Sequence, residues 1–244
     1  MTERPRRIAQ ANSFPLKKLL KFKKVGALTS GFTIVELLVA TAVFSLILMG
    51  AVGAFLGIGR LFYKGIVNTQ TQTTAKKTLD SITADMQNSS TLTNQATSGG
   101  YTYFCAGNVR YTLNFDKMVD LANPDYSPTN GNFGILRDVL PGSTACAPPC
   151  ESAPCASPAV AFIQPKELLG NRMRLDNLTI GTVAAQADTY SVKVRIAFGD
   201  DESLLKIIDP PSPTTDDYEC NSNSARSQFC ALASVSNVVF AGGF

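Results

Sequence analysis

Residues 37 to 59, LLVATAVFSLILMGAVGAFLGIG, run for 23 residues without a charge. As a helix at about 1.5 Å per residue they can cross the roughly 30 Å of a bilayer's hydrocarbon core. A single carboxylate, Glu36, stands immediately before them in the stretch TSGFTIVELLVATAVFSLILMG. Within a spanning helix an ionised carboxylate costs about 2.5 to 3.5 kcal/mol on insertion scales, so such a residue usually faces a partner. Any fold for this chain must therefore satisfy two demands. It must keep a long apolar helix out of water, and it must give Glu36 a donor or a cation.

Charge places the two ends of that helix. The first 31 residues carry Arg4, Arg6, Arg7, Lys17, Lys18, Lys21, Lys23 and Lys24 against the lone acid Glu3, a net +7, which leaves −4 for the remainder of a chain whose total is +3. With eight cations before the span and only Arg60 and Lys64 just after it, the positive-inside rule puts the leader in the cytoplasm and the rest outside. The basic balance belongs to the leader, so it argues against a nucleic-acid partner for the folded part. An ordinary secretory signal has a shorter apolar region and a small-residue cleavage site after it, and neither is present. The chain has no His. That removes imidazole acid–base catalysis, Ser-His and Cys-His nucleophile pairs, and the commonest zinc ligand.

No cation lies within the apolar run, but a cut between Gly31 and Phe32 creates an α-amine four residues from Glu36. An amine on a neighbouring copy or a sister protein serves the same role. At this point the residues resemble a known family. GFTIVELLVA, preceded by a basic leader and followed by an uncharged helix, is similar to the prepilin processing motif of type IV pilins and type II secretion pseudopilins. The resemblance implies cleavage after Gly31 by a membrane aspartyl prepilin peptidase and N-methylation of Phe32. It also implies assembly into a filament through packed N-terminal helices, with Glu36 paired to a subunit's N-terminal amine. The implied partners are the peptidase, other pilin or pseudopilin subunits, a pilus or secretion assembly platform, and membrane lipid. The implied location is a single pass through the cytoplasmic membrane, head outward, and after assembly a surface or periplasmic filament.

Beyond the span no Pro interrupts the chain as far as Asn88, and TTAKKTLDSITADMQNSS sets Leu79, Ile82 and Met86 at helical spacing, with Lys76, Lys77, Asp80 and Asp85 elsewhere around the turn. The pattern predicts one long helix whose outer half packs on a head. Gly50, Gly53, Gly57, Gly59 and Gly65 fit either close packing of membrane helices or local unwinding in a filament. SSTLTNQATSGG reads as a loop. Strands are expected from Tyr101, Asn108, Phe133, Ala159, Arg172 and Tyr190, with a last one in ASVSNVVFAGGF. In the sixth, Val192, Val194 and Ile196 take one face and Lys193 and Arg195 the other. The expected fold class is α+β, a transmembrane-plus-amphipathic helix on a mainly antiparallel sheet. The organisation is a leader at 1–31, a membrane and assembly helix at 32–60, its amphipathic continuation at 61–88, and an exported head at 89–244. The order of LDSITADMQNS, VRYTLNF, GILRDVL, ELLGNRMRLDNLTI and YSVKVRIAF is similar to J-type minor pseudopilins and W-type minor pilins. A major pilin, or a head displayed for adhesion or DNA uptake, is the alternative.

Cys105, Cys146, Cys150, Cys155, Cys220 and Cys230 all lie beyond the span and none in the leader, which suggests export disulfides, Cys220 with Cys230 being the nearest local pair. ACAPPCESAPCASP is a stapled loop or, less in keeping with its spacing and an oxidising compartment, a zinc knuckle. GDDES and TTDDYEC are solvated turns or oxygen-rich calcium loops without EF-hand spacing. No nucleophile motif appears, so neither an enzymatic activity nor a metal or other cofactor is expected.

Overall fold

A computed structural model describes residues 31–89, 91–98, 100–123, 126–127, 131–142, 146–150, 159–183, 188–207, 218–222 and 227–242. The leader residues 1–30 and Cys155 lie outside the described residues. The chain divides into two units, Met1–Ala51 and Val52–Phe244. The described part of the first comprises Gly31, Phe32, Thr33 and the opening turns of helix α1, every residue exposed.

Helix α1 is assigned to Ile34–Gln87, 54 residues. It passes unbroken through all five glycines of its middle, so no unwinding is present in the single chain. A Cβ built on any of those glycines meets open space, which leaves close packing as a property of a neighbouring helix and not of this chain's own contacts. Exposure ends at Val67. From there Val67, Thr71, Ala75, Leu79, Ile82 and Met86 are buried at intervals of three and four, as an amphipathic helix requires. Thr71 tolerates burial because its hydroxyl donates to the Val67 carbonyl at 2.8 Å.

In the second unit this face of α1 lies against two antiparallel sheets. The first runs in the order β1 (Ala96–Ser98), β2 (Tyr101–Ala106), β3 (Val109–Leu113), β4 (Ile135–Val139), β7 (Lys166–Glu167). The second runs in the order β12 (Ala231–Phe240), β9 (Thr189–Phe198), β8 (Met173–Thr182). Among the described residues the head also holds two short pairs, β5 (Pro149–Cys150) parallel to β6 (Val160–Ala161), and β10 (Leu204–Lys206) antiparallel to β11 (Tyr218–Cys220). Leu79, Ile82 and Met86 join Phe104, Tyr111, Ile135, Met173 and Val194 in one buried cluster. Val192, Val194 and Ile196 are buried while Lys193 and Arg195 sit half-exposed opposite them. The architecture is α+β and pilin-like.

Two local expectations change. The loop expected at 89–100 contains β1, which pairs with β2 through Ala96 to Ser98. The strand expected from Ala159 to Pro165 shrinks to Val160–Ala161. Its carbonyls turn instead to a buried cation, for Arg110 donates to the oxygens of Val160 at 3.0 Å and Ala161 at 3.3 Å. The same guanidinium takes the carbonyls of Ala147 and Pro148 and both oxygens of Asp138, with Arg110 and Asp138 side chains wholly buried. A desolvated charge of this kind survives only when its donors are met, and here the backbone of the cysteine-rich loop meets them.

Candidate assembly site

Gly31, Phe32 and Thr33 precede α1 in non-helical, exposed conformation. Phe32 is 82 % exposed. Thr33 and Glu36 then close the helix start reciprocally. The Glu36 amide donates to Thr33 Oγ1 at 3.3 Å, and the Thr33 amide and hydroxyl each donate to Glu36 Oε2 at 3.0 Å. This is a capping box, a Thr at the cap and a Glu three residues on, and it satisfies donors that an apolar surrounding would otherwise strand. Glu36 thus has a partner within its own turn. Among the described residues the bonds all fall on Oε2, which leaves Oε1 as an acceptor for a further donor. The pattern T-x-x-E is legible in TIVE, but the insertion penalty directs attention to a distant cation and away from the adjacent hydroxyl.

Between this site and Val67 every residue of α1 is exposed. Such a surface, carrying Leu37, Phe44, Ile47, Met49, Phe55 and Phe62, is stable only in an apolar solvent or against other apolar helices. α1 is long and apolar enough to cross a membrane.

The head is fastened to the outer half of α1 by charge as well as by packing. Arg137 on β4 grips Asp85 bidentately, Nε to Oδ2 at 2.7 Å and Nη2 to Oδ1 at 3.0 Å, and Tyr111 on β3 donates to Asp85 Oδ2 at 2.5 Å. Burial, reinforced by the bond to Asp85, holds the Tyr111 phenol well above its ordinary pKa. An acid near a helix C-terminus opposes the helix dipole, and the guanidinium offsets that. At the level of sequence Asp85 belongs only to the polar side of the helix. On β7, the edge strand next to β4, Glu167 accepts the amides of Gly134, Ile135, Leu168 and Leu169, each within 3.0 Å, tying β7 and the following turn to β4.

The acidic turn at Gly199 to Ser203 faces guanidinium groups. Asp200 accepts from Arg172 at 2.9 Å and from the Ser203 amide at 3.2 Å, and Asp201 accepts from Arg174 at 2.8 Å. Hydrogen bonds from Ser203, then the charge of Arg172, hold the Asp200 carboxyl below the usual carboxylate range. These carboxylates are committed to internal cations, which weakens a calcium reading. Of the second acidic stretch, residues 214–217 lie outside the described residues. No cluster of three or more metal-ligating side chains occurs among the described residues.

Cys105 is bonded to Cys146 and Cys220 to Cys230. Cys150 is also disulfide-bonded. Spending the Cys146 and Cys150 sulfurs in disulfides leaves the Ala-Pro loop without the thiolates a zinc knuckle needs, and it points to an oxidising compartment for the head. Comparison of the chain with protein-family models, with curated proteins and with solved structures finds no match.

Proposed function

We propose that this chain is a prepilin-like structural subunit, inserted in the cytoplasmic membrane, cut between Gly31 and Phe32, methylated at Phe32 and built into a type IV pilus or type II secretion filament. The observation that carries the reading is an exposed, non-helical Gly31–Phe32 peptide placed directly before an apolar stretch of helix that is exposed at every residue as far as Ile66. A peptidase needs an extended, accessible bond, and filament packing needs an apolar helix free of its own head. The single-pass topology, the prepilin peptidase, the sister subunits and the assembly platform are parts of the same proposal. The order of the head elements favours a minor subunit over a major pilin. A filament-displayed adhesion or DNA-uptake head is the second reading, and the net −4 beyond the leader gives it no support on a polyanion. No catalytic role is proposed for any residue.

In this reading Oε1 of Glu36 receives the amine of a neighbouring subunit while Oε2 keeps its bonds to Thr33. The test compares membrane-retained and sheared-filament fractions of wild type and Glu36→Ala, scoring leader cleavage in each. Normal cleavage with reduced incorporation of Glu36→Ala is expected. Equal incorporation would remove the assembly role, and a loss of cleavage would move the residue's role to the peptidase.

A further inference from the structure

Among the described residues the head has one long sheet edge that nothing pairs. β12 bonds only to β9, and its other side is open from Ser234 to Phe240. The amide of Ala241 donates to the carbonyl of Asp188 at 2.7 Å, which sets the alternation of the ladder: odd-numbered residues of β12 bond to β9, and the even ones turn their N–H and C=O outward. Those are Ser234, Ser236, Val238 and Phe240, all with exposed side chains. Only the Val238 amide is occupied, by the Asn237 side chain at 2.9 Å. The other long edge is covered. Along β8 the amides of Asp116 and Val119 reach the carbonyls of Leu175 and Met173, and Gln95 reaches Leu178. The outer strands of the five-stranded sheet, β1 and β7, are three and two residues long.

Soluble heads usually blunt such an edge with Lys, Pro or a bulge. ALASVSNVVF has no charge and no Pro, and its pairing with β9 has no register break. Val238 is 60 % and Phe240 59 % exposed. We propose that β12 is a self-pairing edge, to which a second copy of this chain adds its own β12 antiparallel, about a two-fold axis at Asn237. The sequence is complementary to itself in that register. Phe240 of one copy falls opposite Ser234 of the other and Val238 opposite Ser236, so each large side chain meets a small one in a hydrogen-bonded pair. The two Asn237 side chains meet at the axis, where they can exchange amide hydrogen bonds once released from Val238. A neutral strand brings no like-charge repulsion to this contact. The proposal is independent of leader processing.

Cross-linking of the full chain in detergent tests it. At the axis the two residues 237 form a non-hydrogen-bonded antiparallel pair with Cα atoms about 4.5 Å apart, inside disulfide range. Asn237→Cys is therefore expected to give a covalent homodimer on mild oxidation, and Lys76→Cys, on the exposed side of α1, to give far less. Adding Val238→Pro removes an N–H that the β9 ladder does not use, so the head keeps its disulfides and circular dichroism while the dimer yield falls about tenfold. Val238→Lys, which needs no backbone change, is expected to lower it likewise. Dimer from Asn237→Cys no greater than from Lys76→Cys, or a yield unchanged by Val238→Lys in a folded head, would overturn the proposal. In cells, cross-linking of residue 237 to a different polypeptide in place of a second copy would overturn it too.

Discussion

Glu36 offers two separable contributions, and one substitution distinguishes them. Gln at this position still accepts from Thr33 and keeps the capping box, whereas Ala loses both the cap and the charge. If assembly depends on the charge, Glu36→Gln is expected to incorporate into sheared filaments as poorly as Glu36→Ala while leaving leader cleavage intact. Wild-type incorporation of Glu36→Gln would reduce the residue to a helix cap. Removing the charge makes insertion cheaper, by about the 2.5 to 3.5 kcal/mol that a charge costs at membrane depth, so a defect in insertion is not expected. The exception in the sequence, one acid beside an uncharged run, located this residue at once. Its hydroxyl partner was equally visible in TIVE but is a short-range effect that a search for a compensating cation passes over.

The outer half of α1 shows where periodicity suffices and where it does not. Leu79, Ile82 and Met86 declared the buried face, because packing rewards only that spacing. Asp85 stands one position from Met86 and looks like part of the solvated side, yet it is the clamp on the sheet, a role set by Tyr111 and Arg137 from strands 26 and 52 residues away. Such a pairing depends on the closed fold and leaves no local trace. Asp85→Ala strands Arg137 and leaves the Tyr111 hydroxyl only the longer contact with Ser81 Oγ at 3.4 Å. It is expected to cost about 2 to 3 kcal/mol, below the 3 to 5 of a wholly buried pair because Arg137 is 29 % exposed. Chemical denaturation followed by a head-specific signal measures this, and a change under about 0.5 kcal/mol, the range of a neutral surface substitution, would show the clamp to be ornamental. β9 is readable from apolar alternation and β8 from its run of strand-forming residues, whereas β12 is only suggested by the ending ASVSNVVFAGGF. AVAFIQP reads as a longer strand than β6, because Arg110 draws its carbonyls inward, an event decided by the burial of one guanidinium and invisible in the sequence.

At the scale of the whole molecule, the two disulfides lying entirely among the described residues tie the head together at different lengths of chain. Cys105–Cys146 spans 41 residues and Cys220–Cys230 spans 10. On the loop-closure model the longer contributes about 4 kcal/mol and the shorter about 3. Replacing Cys105 and Cys146 together by Ala is therefore expected to lower the denaturation midpoint of the head more than replacing Cys220 and Cys230, since each pair has one buried sulfur, Cys105 and Cys230, and the loop length is what differs. The reverse order in matched denaturant titrations would contradict this ranking. Proximity in sequence pointed to the shorter pair; the longer one follows from the sheet, which brings Cys105 of β2 under the cysteine-rich loop that Arg110 holds.

The most direct test of the functional reading is the intact mass of the chain after co-expression with a prepilin peptidase. Loss of 31 residues and a methylated Phe32 at the new N-terminus are expected. Gly31→Val should retain the leader without harm to the head, since a Cβ at Gly31 meets nothing within 4 Å among the described residues. An intact leader on the wild-type chain, or a cut near Arg60, would contradict the prepilin reading.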